Sequence, residues 1–215
     1  MTVITSSYDL TEVNEVLRNI QNQLTDNCDM VKYITFWEGT MITLILLLFF
    51  AVRLVSLFIS IRNEKRILSQ GGRQYGEINS KYLTIMHIAI YFFSFLETLV
   101  STPSFNIVSI IGLSLLIFGY TFLFIVIKQL GPIWTLKLYI LKDHKIVTSK
   151  LFKTVKHPNY YLSITPELIG VILLTQSYFT ALLLIPYGLL LYTRIRQEED
   201  AMAHLFEENE KHLAK

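Results

Sequence analysis

The order of apolar and polar stretches along the chain predicts a helical membrane protein. A polar stretch, residues 1–35, is followed by apolar blocks at residues 36–61, 83–100, 105–127 and 161–192. The third block has no charged residue and is longer than the roughly 20 residues that a membrane-spanning helix needs. No segments with a strand-like pattern alternate with these blocks, so we predict an all-α integral membrane fold.

The fourth apolar block is too long for one span, and Gln176-Ser177 interrupts it near its middle. We therefore predict a tight helical hairpin over residues 161–174 and 178–192. This brings the number of predicted transmembrane helices to about five, with 36–215 as one membrane domain. The first hairpin helix is short for a full crossing, which a tilt can accommodate.

The N-terminal segment, residues 1–35, has an amphipathic pattern of its own. Its apolar positions are Leu10, Val13, Leu17, Ile20 and Leu24. These three- and four-residue intervals place the side chains on one helix face, and Asn27 with Asp29 suggests that the helix ends there. We expect it to lie on the protein or membrane surface, with a short dimerising coiled coil as the alternative.

The charged loops predict how the chain crosses the membrane. Lysines and arginines are concentrated in residues 62–82, in residues 128–156 and after residue 193, whereas the connections near Ser101–Ser104 and Gln176-Ser177 carry no charge. With five spans, every basic segment falls on the same side. The positive-inside rule makes that side cytoplasmic and puts residues 1–35 outside, in what is expected to be the cell membrane.

Composition agrees with this interpretation and excludes several classes of site. The chain is 52% hydrophobic and 17% charged, against about 25% charged residues in a typical soluble domain. Cys28 is the single cysteine, which excludes an internal disulfide and a multi-cysteine zinc site. No glycine-rich loop follows a strand, so a soluble dinucleotide or methyl-donor fold is excluded. We expect neither a metal nor a nucleic acid as a partner.

Two polar clusters flank the predicted hairpin. The first reads HKIVTSKLFKTVKHPNY (residues 144–160) and the second RIRQEED (residues 194–200). His157-Pro158 predicts a helix start, where free N–H groups can bind an anion. On the second cluster's helix, Arg194 and Glu198 are four residues apart and share a face. Because both clusters lie at the same end of one hairpin, we expect them to form a site together.

These segments resemble the isoprenylcysteine carboxyl methyltransferase family. Its pattern is H-x-V-x-x-G-x-Y/F-x-x-x-R-H-P-x-Y, a hydrophobic hairpin and then R-x-x-x-E-E, and the match covers about residues 128–210. The segments GRQYGEINS and TPELIG are similar to a bacterial-type branch and extend the resemblance back to about Phe36. Lys156 stands where the family has arginine, and Lys150 where it has glycine.

The resemblance implies S-adenosylmethionine as methyl donor and a lipophilic or prenylated acceptor at the membrane lipid. The cofactor pocket would be lined by His144, Val147, Thr148, Phe152, His157 and Tyr160. Glu198 and Glu199 would contact the polar groups of the cofactor, and Arg194 would orient the acceptor's carboxylate. Arg194, Glu198 and His157 are thus the expected catalytic residues. A carboxylate acceptor needs no base, whereas for a phenol or enol His157 or Glu198 is the candidate base.

Polar residues inside predicted spans are costly and by default suggest function. We expect Glu167, with Glu97 or His87, to line a tunnel for the acceptor; a buried helix–helix hydrogen bond is the alternative. Arg53 would reach the membrane surface or pair with Glu97. The acceptor stays open between a prenylcysteine-like carboxylate, a phospholipid head group and a polyketide-type hydroxyl. The alternative functions are an NADPH-dependent sterol-type reductase and a non-catalytic protein that retains the fold.

Overall fold

The first helix is much longer than its predicted span. A computed structural model describes residues 10–140 and 150–213, and α1 runs unbroken over Leu10–Ser69. The prediction that a separate helix ends at Asn27 and Asp29 is therefore wrong. Residues 10–38 contain neither proline nor glycine, so the helix continues into the apolar block. Between residues 27 and 34 every side chain is exposed.

The rest of the described chain is a set of helices with two very short strands. In chain order these elements are β1 Arg73–Tyr75, α2 Glu77–Ser101, α3 Ile107–Leu130, a 3₁₀ turn Gly131–Ile133, β2 Leu138–Ile140, α4 Lys150–Thr154, a π-helical segment Asn159–Ile164 that leads into α5 Thr165–Thr175, a 3₁₀ turn Thr180–Leu183, and α6 Leu184–Leu213. The all-α membrane fold is confirmed.

Three of the described helices are long and apolar enough to cross a membrane: Leu17–Ser69, Glu77–Ser101 and Ile107–Ile133. The predicted hairpin supplies two more helices, the short α5 and the apolar first part of α6, so the number of helices agrees approximately with the five predicted. Gln176 has a left-handed backbone with φ 51° and ends α5. The break therefore falls at Gln176-Ser177, as the sequence predicts.

Helices α3 and α5 pack with their backbones in contact because glycines face each other. A Cβ on Gly112 would lie 2.2 Å from the Leu174 nitrogen, and one on Gly170 would lie 2.8 Å from the Gly112 carbonyl oxygen. Small residues that allow such an approach are typical of helix packing in membranes. This contact holds the first hairpin helix firmly against the bundle.

Strands β1 and β2 form an antiparallel ribbon that the sequence did not predict. Gln74 pairs with Tyr139 at its centre. Leu138 of the ribbon packs against the buried Ala201 of α6, and a Cβ on Gly76 would clash with Gln197. The ribbon therefore holds the loop before α2 against α6, and three-residue strands are too short to leave a recognisable alternation in the sequence.

The described parts of the basic segments lie at one end of the bundle, which we call the basic end: residues 62–82, 128–140 and 194–200. Lys137 Nζ lies 2.9 Å from Glu64 Oε2, and Asn79 Nδ2 donates to the Leu190 carbonyl at 3.1 Å. Asn63 Nδ2 donates to the Trp134 carbonyl at 2.8 Å. These bonds connect α1, α2, α6 and the segment after α3.

Glu97 lies toward the opposite end of the bundle and caps a turn there. Its carboxylate accepts hydrogen bonds from the backbone N–H groups of Phe179 and Thr180, at 3.1 and 3.0 Å. The hydroxyl of Thr180 adds a third, at 2.8 Å. The prediction that Glu97 lines a tunnel is therefore wrong, because its carboxylate satisfies the free donors at the start of the second hairpin helix.

Candidate active site

The helix after the first polar cluster begins at His157-Pro158, as the proline predicts. Its first residues, Asn159–Ile164, are π-helical rather than α-helical. The His157 carbonyl accepts from both the Tyr160 and the Tyr161 N–H, at 3.1 and 3.2 Å. Short π-helical segments occur frequently at functional sites, and this one turns Tyr160 into the interior, where it is buried.

The two polar clusters meet through Tyr160. Its hydroxyl donates to Glu198 Oε2 at 2.6 Å and accepts from Arg194 Nε at 3.2 Å. The partners are 38 and 34 residues away along the chain. The hairpin thus brings together the two clusters that the sequence analysis had singled out.

His157 lies between two carboxylates. Its Nδ1 is 3.4 Å from Glu198 Oε1, and its Nε2 is 3.3 Å from Glu199 Oε1. The contact with Glu198 raises the pKa of His157 above its usual value, against the opposing effect of burial, and Glu199 adds to the increase. Burial alone would raise the pKa of Glu198, but His157, Tyr160 and Arg194 together lower it. A charged His157 between two ionised carboxylates is therefore favoured.

Lys156, which replaces the family's arginine, pairs with Glu199. Its Nζ lies 2.5 Å from Glu199 Oε1, and 74% of its side chain is exposed. The pKa of Glu199 is lowered, first by Lys156 and then by His157. Lys156 keeps the positive charge of the family's arginine and pairs it with Glu199. The position is exposed, however, and an ion pair stabilises little there.

Arg194 is only 3% exposed. It donates to Ser80 Oγ at 2.6 Å and to the Leu136 carbonyl at 3.2 Å, besides its bond to Tyr160. Among the described residues no carboxylate lies within ion-pair distance of its guanidinium. A guanidinium has five N–H donors and is always charged. Because the three partners of Arg194 are neutral, it keeps free donors and a positive charge with which it can bind an anion.

An apolar cavity lies beside Arg194, enclosed by α1, α2, α6 and the start of the hairpin. Leucines and isoleucines form most of its wall, together with Phe50. Arg194, Tyr160 and Ser80 line its basic end. The cavity opens between α1 and α2, since the lining residues Leu54 and Ile88 are 40% and 49% exposed. On a membrane-spanning surface such an opening faces lipid.

The inner end of the cavity reaches a buried ionic cluster around Glu167. Glu167 Oε1 accepts from the Tyr91 hydroxyl at 2.9 Å and lies 3.2 Å from His87 Nε2 and from the Tyr120 hydroxyl. Glu167 Oε2 lies 3.3 Å from Arg53 Nη1. The expected pairing of Arg53 with Glu97 is therefore wrong. Arg53 and His87 line the cavity, and the fully buried Glu167 lies directly behind them.

The other predicted cofactor residues are only partly placed. Phe152 is half-buried and packs against the core. His144, Val147 and Thr148 lie outside the described residues. Sequence reasoning missed Ser80 as a site residue, although the signal was present: Ser80 is the last residue of GRQYGEINS, and it holds Arg194. Tyr187, which also lines the cavity, had no signal in the sequence because tyrosine is common in apolar spans.

Comparison with known proteins identifies the family of the chain. Residues 110–204 match the model of the Isoprenylcysteine carboxyl methyltransferase (ICMT) family. The chain belongs to this family. A Haemophilus influenzae relative, "Uncharacterized protein", is 52% identical over 157 residues, which are 73% of this chain and 91% of that protein. The "Uncharacterized protein YpbQ" of Bacillus subtilis is 30% identical over 168 residues, or 75% and 96%. No solved structure matches.

Membership in the isoprenylcysteine carboxyl methyltransferase family makes the chain a membrane methyltransferase. The match covers α3, the hairpin and the Arg194–Glu199 cluster, so the family's recognisable part coincides with the site described above. Helices α1 and α2, which form the other wall of the cavity, lie entirely before the match.

The residues at the basic end fit S-adenosylmethionine, the methyl donor that this family generally uses. The Glu198 and Glu199 carboxylates suit its amine and ribose hydroxyls. Within the described part of the chain, the buried Asn159 Oδ1 has no hydrogen-bond partner, and His157 Nδ1 has its ion pair with Glu198 at 3.4 Å but no hydrogen bond. Buried polar atoms without partners need explaining, and contact with a polar cofactor would satisfy them. No group of three or more His, Cys, Asp and Glu suited to a metal occurs in the described residues.

Proposed function

We propose that this protein is an S-adenosylmethionine-dependent O-methyltransferase whose acceptor is a lipophilic molecule with an anionic oxygen. An isoprenylcysteine-type carboxylate or a similar lipid fits this description. The buried Arg194 supports the proposal most strongly. It lies at the junction of a polar cluster suited to the cofactor and an apolar cavity suited to the acceptor, and no described carboxylate lies within ion-pair distance of its guanidinium.

Arg194 would hold the acceptor. Its guanidinium already has three fixed partners, Ser80, Tyr160 and the Leu136 carbonyl, so the remaining donors point in a fixed direction. A carboxylate held by such a group is oriented without further loss of side-chain entropy. The acceptor's apolar part would lie along the cavity wall, where burial contributes roughly 25 cal/mol per Å².

Glu198, Glu199 and His157 would hold the cofactor. The carboxylates favour its positively charged groups, and the positive end of the helix that begins at Pro158 favours its carboxylate. Bound S-adenosylmethionine supplies a methyl group on a positively charged sulfur. The methyl group would pass to the acceptor oxygen, and the sulfur would keep the electron pair of its C–S bond. A carboxylate acceptor is already ionised at neutral pH, so no residue of this chain would have to act as its base.

Positioning is then the main contribution of the protein to the rate. Holding two reactants in line replaces a bimolecular encounter and is worth about 7–11 kcal/mol in well-oriented systems. The basic end would face the cytoplasm, where the water-soluble cofactor is, because the lysine- and arginine-rich segments gather there.

Calorimetry on purified protein in detergent tests the cofactor. S-adenosylmethionine or its demethylated product should bind, and Glu198→Ala should weaken binding at least tenfold, because it removes a carboxylate and leaves Tyr160 and Arg194 without it. Glu97→Gln, at the opposite end of the bundle, is the control and should leave the Kd unchanged. Tight binding of NADPH together with no binding of S-adenosylmethionine would contradict the proposal.

A further inference from the structure

The inner end of the cavity has polar residues that holding one anionic oxygen does not require. Arg53, His87 and Tyr187 line it, in the part of the bundle formed by apolar spans. Polar side chains in such a place are expensive. A purely hydrophobic acceptor would be accommodated better by leucines, so the polar lining needs its own explanation.

Most of this polar group is satisfied internally. Glu167, paired with Arg53, acts as an acceptor, so His87 Nε2, 3.2 Å away, carries the proton and donates. His87 Nδ1 is then the acceptor for the Tyr187 hydroxyl at 3.3 Å. Tyr91 and Tyr120 donate to the same carboxylate. His87 and Tyr187 therefore have little capacity left for a ligand.

Arg53 is different. It is 9% exposed and lines the cavity, yet no described residue accepts a hydrogen bond from its Nη1. Its contact with Glu167 Oε2, at 3.3 Å, is an ion pair without hydrogen-bond geometry, and neither atom has another hydrogen-bond partner among the described residues. A buried donor without an acceptor is costly. Arg53 thus lines the cavity with a guanidinium that donates no hydrogen bond to a described residue, and an oxygen of a ligand there would supply an acceptor.

The charges show which kind of acceptor fits. Arg53 and Glu167 compensate each other, and His87 with one donor and one acceptor nitrogen is neutral. A second anion would be uncompensated here and costly. A neutral oxygen, such as a carbonyl, accepts hydrogen bonds without adding charge. Arg194 at the other end has no described carboxylate partner and suits an anion instead.

One residue of α2 marks each end of the cavity. Ser80 contacts Arg194, and His87 contacts Glu167 beside Arg53. Both residues lie on the same face of α2, two helical turns apart, or about 10 Å at 1.5 Å per residue. An extended chain in the cavity would thus meet Arg194 with one oxygen and Arg53 with another.

We propose that the acceptor carries a second, neutral oxygen, a carbonyl on its chain about 10 Å from the methylated oxygen, and that Arg53 binds it. This inference rests on the proposed function, since it adds a requirement to the same acceptor. It makes Arg53 a specificity-determining residue and makes the acceptor an oxygenated chain rather than a plain hydrocarbon or prenyl chain.

Binding of two fatty acids that differ only in this oxygen tests the inference. Stearate and its 10-oxo derivative would displace a fluorescent fatty acid from the purified protein in detergent. In the wild type we expect the 10-oxo derivative to bind about tenfold more tightly, and the 16-oxo derivative to bind like stearate. Equal Kd values for stearate and the 10-oxo derivative, or no displacement by any of the three, would overturn the proposal.

Variants separate the two ends of the cavity. Arg53→Met alone would leave Glu167 as an unpaired buried charge and could unfold the protein, so the main variant is Arg53→Met with Glu167→Gln. It should bind stearate with an unchanged Kd. The Kd values of stearate and the 10-oxo derivative should then differ by no more than about twofold. A preference retained in this variant would show that Arg53 and Glu167 form only a structural pair.

Arg194→Met is the matched arginine control. It should weaken binding of both acids by a similar factor and leave their ratio near tenfold, because it removes only the carboxylate partner. If Arg194→Met leaves both Kd values unchanged, or if calorimetry shows no binding of S-adenosylmethionine, the proposed function fails. The ratio of the Kd values of the two fatty acids is measured without cofactor, so it reports on Arg53 independently of the proposed methyl transfer.

Discussion

His157 gives the site a pH dependence because it lies between Glu198 and Glu199. Its pKa is raised in the folded protein, mainly by Glu198, so the charged form stabilises the fold. That contribution is fully present below its ordinary pKa of 6.5 and is lost as the pH rises through the raised value. The pKa of Glu198 is lowered, so its contribution is present above 4.5 and is lost as the pH falls through the lowered value.

We therefore predict that His157→Gln destabilises the protein most between about pH 4.5 and 6.5. The expected decrease in Tm is about 2–4 °C there, corresponding to about 1 kcal/mol in a protein of this size. The decrease should shrink at alkaline pH. Thermal unfolding of both proteins in detergent across this range checks it, and a decrease in Tm that grows with rising pH would contradict the assigned charges.

Lys156 pairs with Glu199, one of these two carboxylates, from an exposed position. We predict that Lys156→Ala weakens binding of S-adenosylmethionine by no more than about fivefold, since exposed ion pairs stabilise little. Glu198→Ala, which removes a buried partner of Tyr160, should weaken it more. Calorimetry on the two variants decides this. A loss with Lys156→Ala as large as that with Glu198→Ala would mean that Lys156 itself contacts the cofactor.

At the scale of single residues, the sequence showed the polar clusters but not the partners in the spans. Tyr160, His157, Arg194 and Glu198 could be placed together because both clusters border one short hairpin. The pairing of Arg53 with Glu167 could not, since it depends on how helices far apart in the chain rotate against each other. Hydrophobic patterns determine which segments cross a membrane, but not which face of each helix meets which neighbour.

At the scale of elements, the close contact of α3 and α5 positions the hairpin. We predict that Gly112→Ala lowers the Tm by several degrees, because the added methyl group would lie 2.2 Å from the Leu174 nitrogen and overpacking costs about 1–3 kcal/mol. Thermal unfolding in detergent measures this. Binding of S-adenosylmethionine should weaken as well, since the hairpin carries Tyr160 and His157.

Gly188→Ala is the control for this prediction. It also lies in a helix of the hairpin, but a Cβ there meets nothing within 4 Å. It should leave the Tm unchanged or raise it slightly, as alanine favours a helix more than glycine does. Equal Tm changes for the two variants would mean that the α3–α5 contact does not limit stability.

The elements also show what the sequence predicts well. Long apolar blocks, the second of them without any charge, predicted α2 and α3, and Gln176-Ser177 predicted the hairpin turn. The length of α1 was missed because Asn27 and Asp29 are compatible with a helix end but do not force one. The β1–β2 ribbon was missed because it depends on a pairing between residues 73 and 140, which no local pattern shows.

For the whole molecule, the remaining question is which end faces the cytoplasm. The positive-inside rule assigns the basic end to that side, and α1 then carries its N-terminal part to the other side. Cys28 is exposed, and it is the single cysteine of the chain. It is therefore a natural reporter for the side opposite the basic end.

We predict that a membrane-impermeant maleimide labels Cys28 in intact cells. In a Cys28→Ser background, Gln70→Cys, an exposed position at the basic end, should be labelled only after the membrane is permeabilised. Tyr178→Cys, which is 63% exposed at the opposite end, is the matched control and should react in intact cells. Labelling of Gln70→Cys from outside with protection of Cys28 would reverse the orientation. The cofactor site would then face away from the compartment that contains the cofactor, and the proposed reaction could not proceed in the cell.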